Sequence, residues 1–299
     1  MKTLVICGPT ASGKTGFAVD MAEMLNGEII SADCMLVYKK LNIGTAKPTA
    51  EEMRNVPHHM IDIVEPTESF SVSDYADRAL PLLASIRERG RLPVICGGTG
   101  FYIQSLLFER KLGGVPADAT VREKYEAIAR EKGKEYLHEI LRSVDPESAE
   151  ILHPNDQKRV VRALEIYALT GSKKSDQQDN FCRKTEYAAI AFDYPREVLY
   201  DRINRRVDDM LAAGLVQEVC ALLDNGVQEG DQCMQGIGYK EVVKFLKNEI
   251  SHSTMSDMIK QNTRNYAKRQ ITFFKKLPDI VWLQPNERNN AKKVTEMVL

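Results

Sequence analysis

The segment that most constrains this chain is Gly8–Thr15, whose sequence is Gly-Pro-Thr-Ala-Ser-Gly-Lys-Thr. An apolar run at residues 2–7 predicts a buried strand before it, and the apolar spacing at 17–25 predicts a helix after it. G-x-x-x-x-G-K-T in that setting is typical of a phosphate-binding loop. Glycines let backbone N–H groups approach phosphate oxygens, and the helix N-terminus contributes a positive dipole end. An ordinary glycine-rich turn is the alternative, which the flanking elements disfavour. The predicted pyrophosphate- or polyphosphate-binding residues are Gly8, Pro9, Thr10, Ala11, Ser12, Gly13, Lys14 and Thr15, with the Thr15 hydroxyl as a candidate Mg²⁺ ligand.

Polar residues follow two further predicted strands. Residues 27–30 form a short apolar run that leads to Asp33, and 92–96 form another that leads to the glycine turn 97–100. Ligands of parallel α/β sheets bind at the carboxyl ends of the strands. Asp33 is therefore a candidate Mg²⁺ partner or general base, with a helix cap or turn residue as the alternative. Thr99 is the hydrogen-bond donor of a second phosphate-facing turn, unless that turn is purely structural.

The composition sets limits on the class of protein. Of 299 residues, 43 % are hydrophobic and 28 % charged, which is ordinary for a globular enzyme, and the formal net charge of −1 indicates no nucleic-acid partner by itself. The six cysteines form no C-x-x-C pair, which favours a reduced protein. No run of 18 apolar residues and no signal-peptide pattern occurs, so we expect a cytoplasmic protein without a membrane partner.

The middle of the chain differs from both ends. After a glycine-rich hinge at 112–116, residues 118–169 show helical spacing with proline breaks, and a polar loop at 171–180 precedes a strand at 187–193. This order predicts an α/β fold, namely a P-loop NTPase-like parallel sheet core with a helical insertion domain. The predicted domains are 1–111 together with 186–299 for the core, and 112–185 for the insertion.

A late helix, predicted over 256–276, carries a local excess of positive charge. Lys260, Arg264 and Lys268 are spaced four apart and form one stripe, with Asp257 as the acidic residue of the helix. A solvated helix face is one interpretation. A surface that follows a nucleic-acid backbone is the other.

These parts are compatible with more than one reaction. A phosphate loop with a nearby carboxylate also describes a small-molecule kinase, but Asp33 and Asp62 alone make a thin Mg²⁺ arrangement of that type. The same loop can instead hold the pyrophosphate of a substrate as a leaving group. Lys14, Thr99, an arginine and Mg²⁺ would then neutralise the developing charge, while Asp33 deprotonates the nucleophile.

Motifs along the whole chain resemble one known family, the bacterial tRNA dimethylallyltransferases (tRNA isopentenyltransferases). The matching segments, in order, are Gly8–Thr15, Ser31–Asp33, Asn42–Pro48, Pro57–His59 with Ile61-Asp62, Gly97–Gly100, His153–Asp156 with Arg159, Arg162–Glu165, Gly236–Glu241 and Arg264–Gln270. The resemblance implies transfer of a dimethylallyl group from dimethylallyl diphosphate to N6 of adenosine 37 in tRNAs that read codons beginning with U, with Mg²⁺ as cofactor.

The resemblance also implies roles for individual residues. Asp33 would take the N6 proton, while Lys14, Thr15, Thr99 and Arg206 would hold or neutralise the diphosphate. The expected partners are a tRNA anticodon stem-loop and dimethylallyl diphosphate, bound by a monomer. The implied tRNA contacts are Asp33, Cys34, Met35, Leu36, Thr99, Arg122, Gln157, Lys158, Arg159, Val160 and Val161.

Three rival functions stay open at this point. An adenylate isopentenyltransferase shares the loop and the aspartate but prenylates free AMP or ATP, whereas the helical insertion and the basic helix favour tRNA. A nucleotide-dependent kinase and a non-enzymatic RNA-binding module with a phosphate loop are the others.

Overall fold

The computed structural model of the protein describes residues 2–109, 115, 117–176, 182–285 and 287–299. Within them the chain divides into a first unit, Met1–Leu107 with Arg183–Leu299, and a second unit, Phe108–Cys182. Apart from Val115, the hinge predicted at 112–116 lies outside the described residues, as does the end of the polar loop predicted at 171–180. No helix in the described ranges combines the length and the apolar character needed to cross a membrane.

A parallel sheet is the frame of the first unit. Its strands among the described residues are β1 (Thr3–Cys7), β2 (Gly27–Ser31), β3 (His58–His59), β4 (Leu92–Gly97), β5 (Tyr187–Phe192) and β6 (Ile280–Leu283). They lie in the order β3-β2-β4-β1-β5-β6, and every pairing is parallel. The strands β1, β2, β4 and β5 are buried at every position. Both faces of the sheet are therefore covered, which explains the unbroken apolar runs. The predicted α/β fold class is confirmed.

Helices cover the sheet and make up the second unit. In chain order they are α1 (Lys14–Met24), α2 (Ala50–Met53), α3 (Val72–Glu88), α4 (Gly100–Leu107), α5 (Ala119–Lys132), α6 (Lys134–Val144), α7 (Pro146–Ile151), α8 (Gln157–Thr170), α9 (Arg196–Ala212), α10 (Leu215–Asp224), α11 (Tyr239–Leu246), α12 (His252–Phe274) and α13 (Asn290–Val298). The predicted strands and most of these helices are confirmed within a few residues. The sequence patterns did not predict α2, α10, α13 or the short strand β3.

The core beside the phosphate loop packs α1 and α13 on the sheet. Ala18, Val19, Met21 and Ala22 of α1 are buried against the apolar side chains of β1, β4 and β5. Phe17 adds an edge-to-face contact with Phe192, with ring centroids 5.2 Å apart. Because this core holds both the strand and the helix that flank Gly8–Thr15, the loop between them has fixed ends.

The second unit has a core of its own, built from α5 to α8. Glu165 is fully buried there and accepts hydrogen bonds from Arg122 Nε at 2.9 Å, from the Asp118 N–H at 2.7 Å and from Arg162. A buried carboxylate is costly unless it is paired, and these donors provide the pairing.

Short backbone hydrogen bonds join the chain segments at the ends of the two units. In the first unit the Lys184 N–H donates to Leu107 O at 2.8 Å, and in the second the Glu109 N–H donates to Cys182 O at 2.8 Å. The segments that leave and re-enter each unit are therefore neighbours.

Candidate active site

The phosphate loop occupies the carboxyl end of β1. Gly13 adopts a left-handed conformation (φ 81°) directly before α1 begins at Lys14, a turn that glycine makes without strain. Lys14 Nζ reaches back to donate to Pro9 O at 3.1 Å. Ser12 Oγ is buried and has no hydrogen-bond partner within the described part of the chain. A buried hydroxyl in this state, beside a lysine and a helix N-terminus, fits an anionic ligand.

Asp33 and Thr99 lie together at the ends of β2 and β4, which are adjacent strands. The Thr99 N–H donates to Ala32 O at 3.0 Å, and the Cys34 N–H donates to Thr99 Oγ1 at 3.0 Å. Asp33 Oδ1 accepts a hydrogen bond of 2.9 Å from the Met35 N–H. The turn that carries the carboxylate is thus tied to the second glycine turn by hydrogen bonds on both sides of Asp33.

Helices α9 and α12 bring cations and amides to the same place. Arg206 Nη2 donates to Thr45 O at 3.3 Å, and Arg202 Nε donates to Ala11 O at 2.7 Å. From α12, Gln270 and Tyr266 line the site.

The loop that carries Thr45 is held by a carboxylate of α10. Glu218 Oε2 accepts from the N–H groups of Asn42 and Ile43 at 2.8 and 2.7 Å, and its Oε1 accepts from the Gly44 N–H at 3.0 Å and from the Tyr239 hydroxyl at 2.7 Å. The ordered loop predicted over 37–48 is confirmed, since the side chains of Val37, Tyr38 and Leu41 are buried.

These elements enclose a cavity of about 470 Å³ in the first unit. The predicted site residues that line it are Thr10, Lys14, Thr15, Asp33, Cys34, Met35, Leu36 and Arg206. The remaining loop residues, Gly8, Pro9, Ala11, Ser12 and Gly13, provide the turn behind Lys14, and Thr99 contributes through its hydrogen bond to Cys34.

The other predicted tRNA contacts belong to the second unit. Lys158 and Arg159 are exposed, Gln157 is half-buried, and the Arg122 side chain is 42 % exposed. Val160 and Val161 differ, because their side chains are buried in the core of that unit. Only the backbone of these two valines is therefore placed to contact RNA in this arrangement, and their tRNA contact stays a prediction.

The predicted basic stripe needs correction. Lys260 Nζ lies 2.6 Å from Asp208 Oδ1, Arg264 Nη1 donates to Asn204 Oδ1 at 2.6 Å, and Lys268 Nζ lies 5.9 Å from the centre of the Tyr200 ring. The stripe packs along α9. Lys260 and Arg264 therefore contact side chains of that helix and form neither a solvated face nor an open surface for nucleic acid. The sequence showed the spacing of these cations but not the helix opposite them.

Burial lowers the pKa of two cations in the cavity. It lowers the pKa of Lys14, and Arg206 acts in the same direction, while Cys96 and Asp33 oppose the shift. Burial also lowers the pKa of Arg206, against the attraction of Asp33. Two desolvated cations that share one carboxylate favour the binding of an anion with more than one charge.

The oxygen donors of the cavity fit Mg²⁺ as an ion shared with a substrate. Among the described residues no cluster of three or more His, Cys, Asp or Glu side chains is placed to hold a metal. Mg²⁺ in phosphate sites takes one or two protein oxygens, substrate oxygens and water. The Thr15 hydroxyl and the Asp33 carboxylate, which both line the cavity, supply that number. His59 bonds to Glu28, whereas His58, which lines the cavity, bonds to Val56 O through Nδ1.

Comparison with known proteins decides the family. A family model described as IPP transferase matches residues 36–277. The chain belongs to the IPP transferase family. Its curated relatives in this family include the tRNA dimethylallyltransferase of Bacillus cereus (strain AH187), 45 % identical in an alignment of 299 positions that covers 99 % of this chain and 94 % of the relative. The tRNA dimethylallyltransferase of Thermoanaerobacter sp. (strain X514) is also 45 % identical, over 100 % of this chain and 96 % of the relative.

Solved structures of the family agree with this fold. The tRNA isopentenylpyrophosphate transferase from Bacillus halodurans has a TM-score of 0.72 and 44 % identity, with 99 % of this chain and 94 % of that chain covered. A eukaryotic dimethylallyltransferase, described as acting on tRNA, has a TM-score of 0.82 and 29 % identity, with 99 % and 77 % covered. The resemblance predicted from the motifs is confirmed, and the chain is an enzyme of the prenyltransferase class.

Two residues that build this site were not predicted from the sequence. Gln270 lies in the motif Arg264–Gln270, but in that segment the sequence pattern indicated a role only for the basic residues. Glu218 lies in no motif, and its partners include backbone N–H groups that no side-chain pattern reveals.

Proposed function

We propose that the protein transfers the dimethylallyl group of dimethylallyl diphosphate to N6 of adenosine 37 in the anticodon loop of tRNAs that read codons beginning with U. The products are N6-isopentenyladenosine and diphosphate. Family membership and the names of the relatives support a tRNA substrate. The observation that carries the proposal is one cavity that joins an anion-binding loop, the half-buried cations Lys14 and Arg206, and the carboxylate of Asp33.

The donor end of the reaction needs stabilisation of a leaving diphosphate. The bond between C1 of the prenyl group and the diphosphate oxygen breaks while the bond from N6 to C1 forms. Negative charge grows on the departing oxygen, so fixed N–H dipoles and cations nearby lower the barrier. In this proposal the N–H groups of the loop, Lys14 and Arg206 bind the diphosphate, and the Thr99 hydroxyl adds a donor. Apolar cavity residues such as Val207 and Ile203 surround the prenyl chain.

Asp33 is the general base of the proposed reaction. The amino group of adenine must lose a proton as N6 forms its new bond. The Met35 N–H fixes one carboxylate oxygen of Asp33 at 2.9 Å, which orients the second oxygen for the N6 proton. A positioned base of this kind contributes about 10²- to 10⁴-fold in rate.

Mg²⁺ would neutralise part of the diphosphate charge when bound. We propose the Thr15 hydroxyl as the protein ligand, since the side chain is exposed to the cavity at the start of α1. Lys14 and Arg206 would then neutralise the negative charge of the diphosphate that Mg²⁺ does not compensate.

The tRNA side of the proposal combines the core with the helical insertion. The target adenine must leave the stack of the anticodon loop to reach an enclosed site. Cys34, Met35 and Leu36 would meet the loop beside Asp33, and exposed cations of the second unit such as Lys158 and Arg122 would bind backbone phosphates. We propose that the enzyme acts as a monomer in the cytoplasm.

Mass analysis of RNA tests the function directly. An anticodon stem-loop is incubated with the protein, Mg²⁺ and dimethylallyl diphosphate, and AMP is offered in a parallel reaction. We expect one dimethylallyl group on adenosine 37 and none on AMP. Prenylated AMP with an unmodified stem-loop would identify an adenylate isopentenyltransferase instead, and no transfer to either would refute the proposal.

A further inference from the structure

One side chain connects the two glycine-containing loops of the site. Gln270 of α12 is 4 % exposed, and its carboxamide is bonded at both ends. Its Oε1 accepts a hydrogen bond from the Thr10 N–H at 2.9 Å, and its Nε2 donates to Gly98 O at 2.9 Å. The phosphate loop and the second glycine turn are thus held at a separation set by the width of one amide.

Around this amide the Gly97–Gly100 turn packs closely against α12. A Cβ on Gly98 would lie 2.2 Å from Gln270 Nε2, and a Cβ on Gly100 would lie 2.1 Å from the Phe273 ring. One turn before Gln270, Tyr266 lines the same cavity. The second glycine turn therefore has glycines at the positions that α12 contacts. Gln270, on the same face of α12, also forms a hydrogen bond with the phosphate loop.

We infer that Gln270 is a positioning residue, which sets the spacing of the phosphate loop and the Gly97–Gly100 turn and so shapes the diphosphate site. This rests on the proposed function only in naming diphosphate as the ligand. The position requires an acceptor toward Thr10 and a donor toward Gly98 on one planar group. Glutamine provides both, and ionised glutamate provides only acceptors.

A glutamate at this position gives a test that a simple packing role would not pass. The protonated carboxylic acid of Gln270→Glu keeps the shape and both hydrogen bonds of the amide. The ionised form places an acceptor against Gly98 O, and loss of a buried hydrogen bond is worth about a factor of ten or more. Burial raises the pKa of a carboxylic acid, so the switch falls in an accessible pH range.

The measurement is calorimetric binding of inorganic diphosphate with Mg²⁺, together with the KM for dimethylallyl diphosphate. We expect the Kd of Gln270→Glu, divided by that of the unaltered protein, to fall about tenfold from pH 8 to pH 5 as the hydrogen bond is restored. Gln270→Met should bind about tenfold more weakly at every pH, because it can restore neither bond. The exposed Gln228→Glu is the matched control and should follow the unaltered protein.

Two results would overturn the inference. One is a pH profile of Gln270→Glu parallel to that of the unaltered protein, and the other is unchanged diphosphate binding by Gln270→Met. If Gln270→Met fails to fold, the pH profile of Gln270→Glu decides alone. Diphosphate binding needs no prenyl transfer, so a protein that binds diphosphate as expected but modifies no tRNA would contradict the proposed function and leave the inference intact.

Discussion

The replacement Glu218→Gln tests how the loop beside Arg206 is held. In the structure one carboxylate oxygen accepts from the Asn42 and Ile43 N–H groups, and the other accepts from the Gly44 N–H and the Tyr239 hydroxyl. Glutamine has a single oxygen. Its least costly orientation keeps that oxygen on Asn42 and Ile43 and turns the amide donor toward Tyr239 Oη, which leaves the Gly44 N–H without an acceptor.

The expected cost follows from this geometry. An orphaned, partly buried N–H costs about 1–3 kcal/mol, and the remaining bonds lose their charge assistance, so we expect a total near 2 kcal/mol. For a chain of this size that loss lowers Tm by about 3 °C. The loop also presents Thr45 O to Arg206, so a loosened loop should raise the KM for dimethylallyl diphosphate about 3- to 10-fold, with a smaller effect on kcat.

Thermal unfolding and steady-state kinetics measure both effects. Tyr239→Phe is the control, because it removes one hydroxyl and leaves every N–H with its carboxylate acceptor. It should cost about 1 kcal/mol and leave KM near that of the unaltered enzyme. A Glu218→Gln variant with unchanged Tm and unchanged KM would refute the reasoning.

Three further perturbations test other parts of the structure. Asp33→Ala should reduce kcat about 10²-fold or more while tRNA binding in a filter assay is retained, and a variant as fast as the unaltered enzyme would exclude the base role. Arg206→Ala should raise the KM for the prenyl donor, whereas an unchanged KM counts against a contact with diphosphate. Burial raises the pKa of Glu165, but Arg162, the Asp118 N–H and Arg122 outweigh it and hold the pKa below the usual 4.5. The stabilisation is therefore present above that pH and is lost as the pH falls through the lowered pKa. The difference in urea unfolding free energy between the unaltered protein and Glu165→Gln should accordingly shrink in acid, and a constant difference would contradict the assignment.

Elements with strong local patterns were predictable from the sequence. Strands β1 and β4 are apolar runs because both faces of the sheet are covered there, and the spacing of the glycines in Gly8–Thr15 identifies the loop. The capping box of α3, formed by Ser71 and Asp74, is likewise a local signal, because its two residues are three positions apart. Even the position of Asp33 beside the second glycine turn follows from parallel strands that end at one edge.

Contacts that depend on distant packing were not predictable. The spacing of Lys260 and Arg264 revealed a basic stripe but not Asp208 and Asn204 opposite it. Val160 and Val161 belong to the predicted contact segment 157–161, yet both side chains are buried in the core of the second unit. Gln270 bonds to backbone atoms about 260 and 172 positions away, and no local pattern encodes partners at that separation.

The paired backbone at Leu107 and Lys184 has an evolutionary consequence. The loop-closure entropy for joining two neighbouring chain ends is small, so the sheet can accept or lose a large segment between them with little penalty. The segment between these residues could therefore have been acquired after the catalytic sheet and exchanged for others, which would fit one chemistry to different nucleic-acid shapes. A short linker from Leu107 to Lys184 should therefore give a smaller protein that still binds diphosphate.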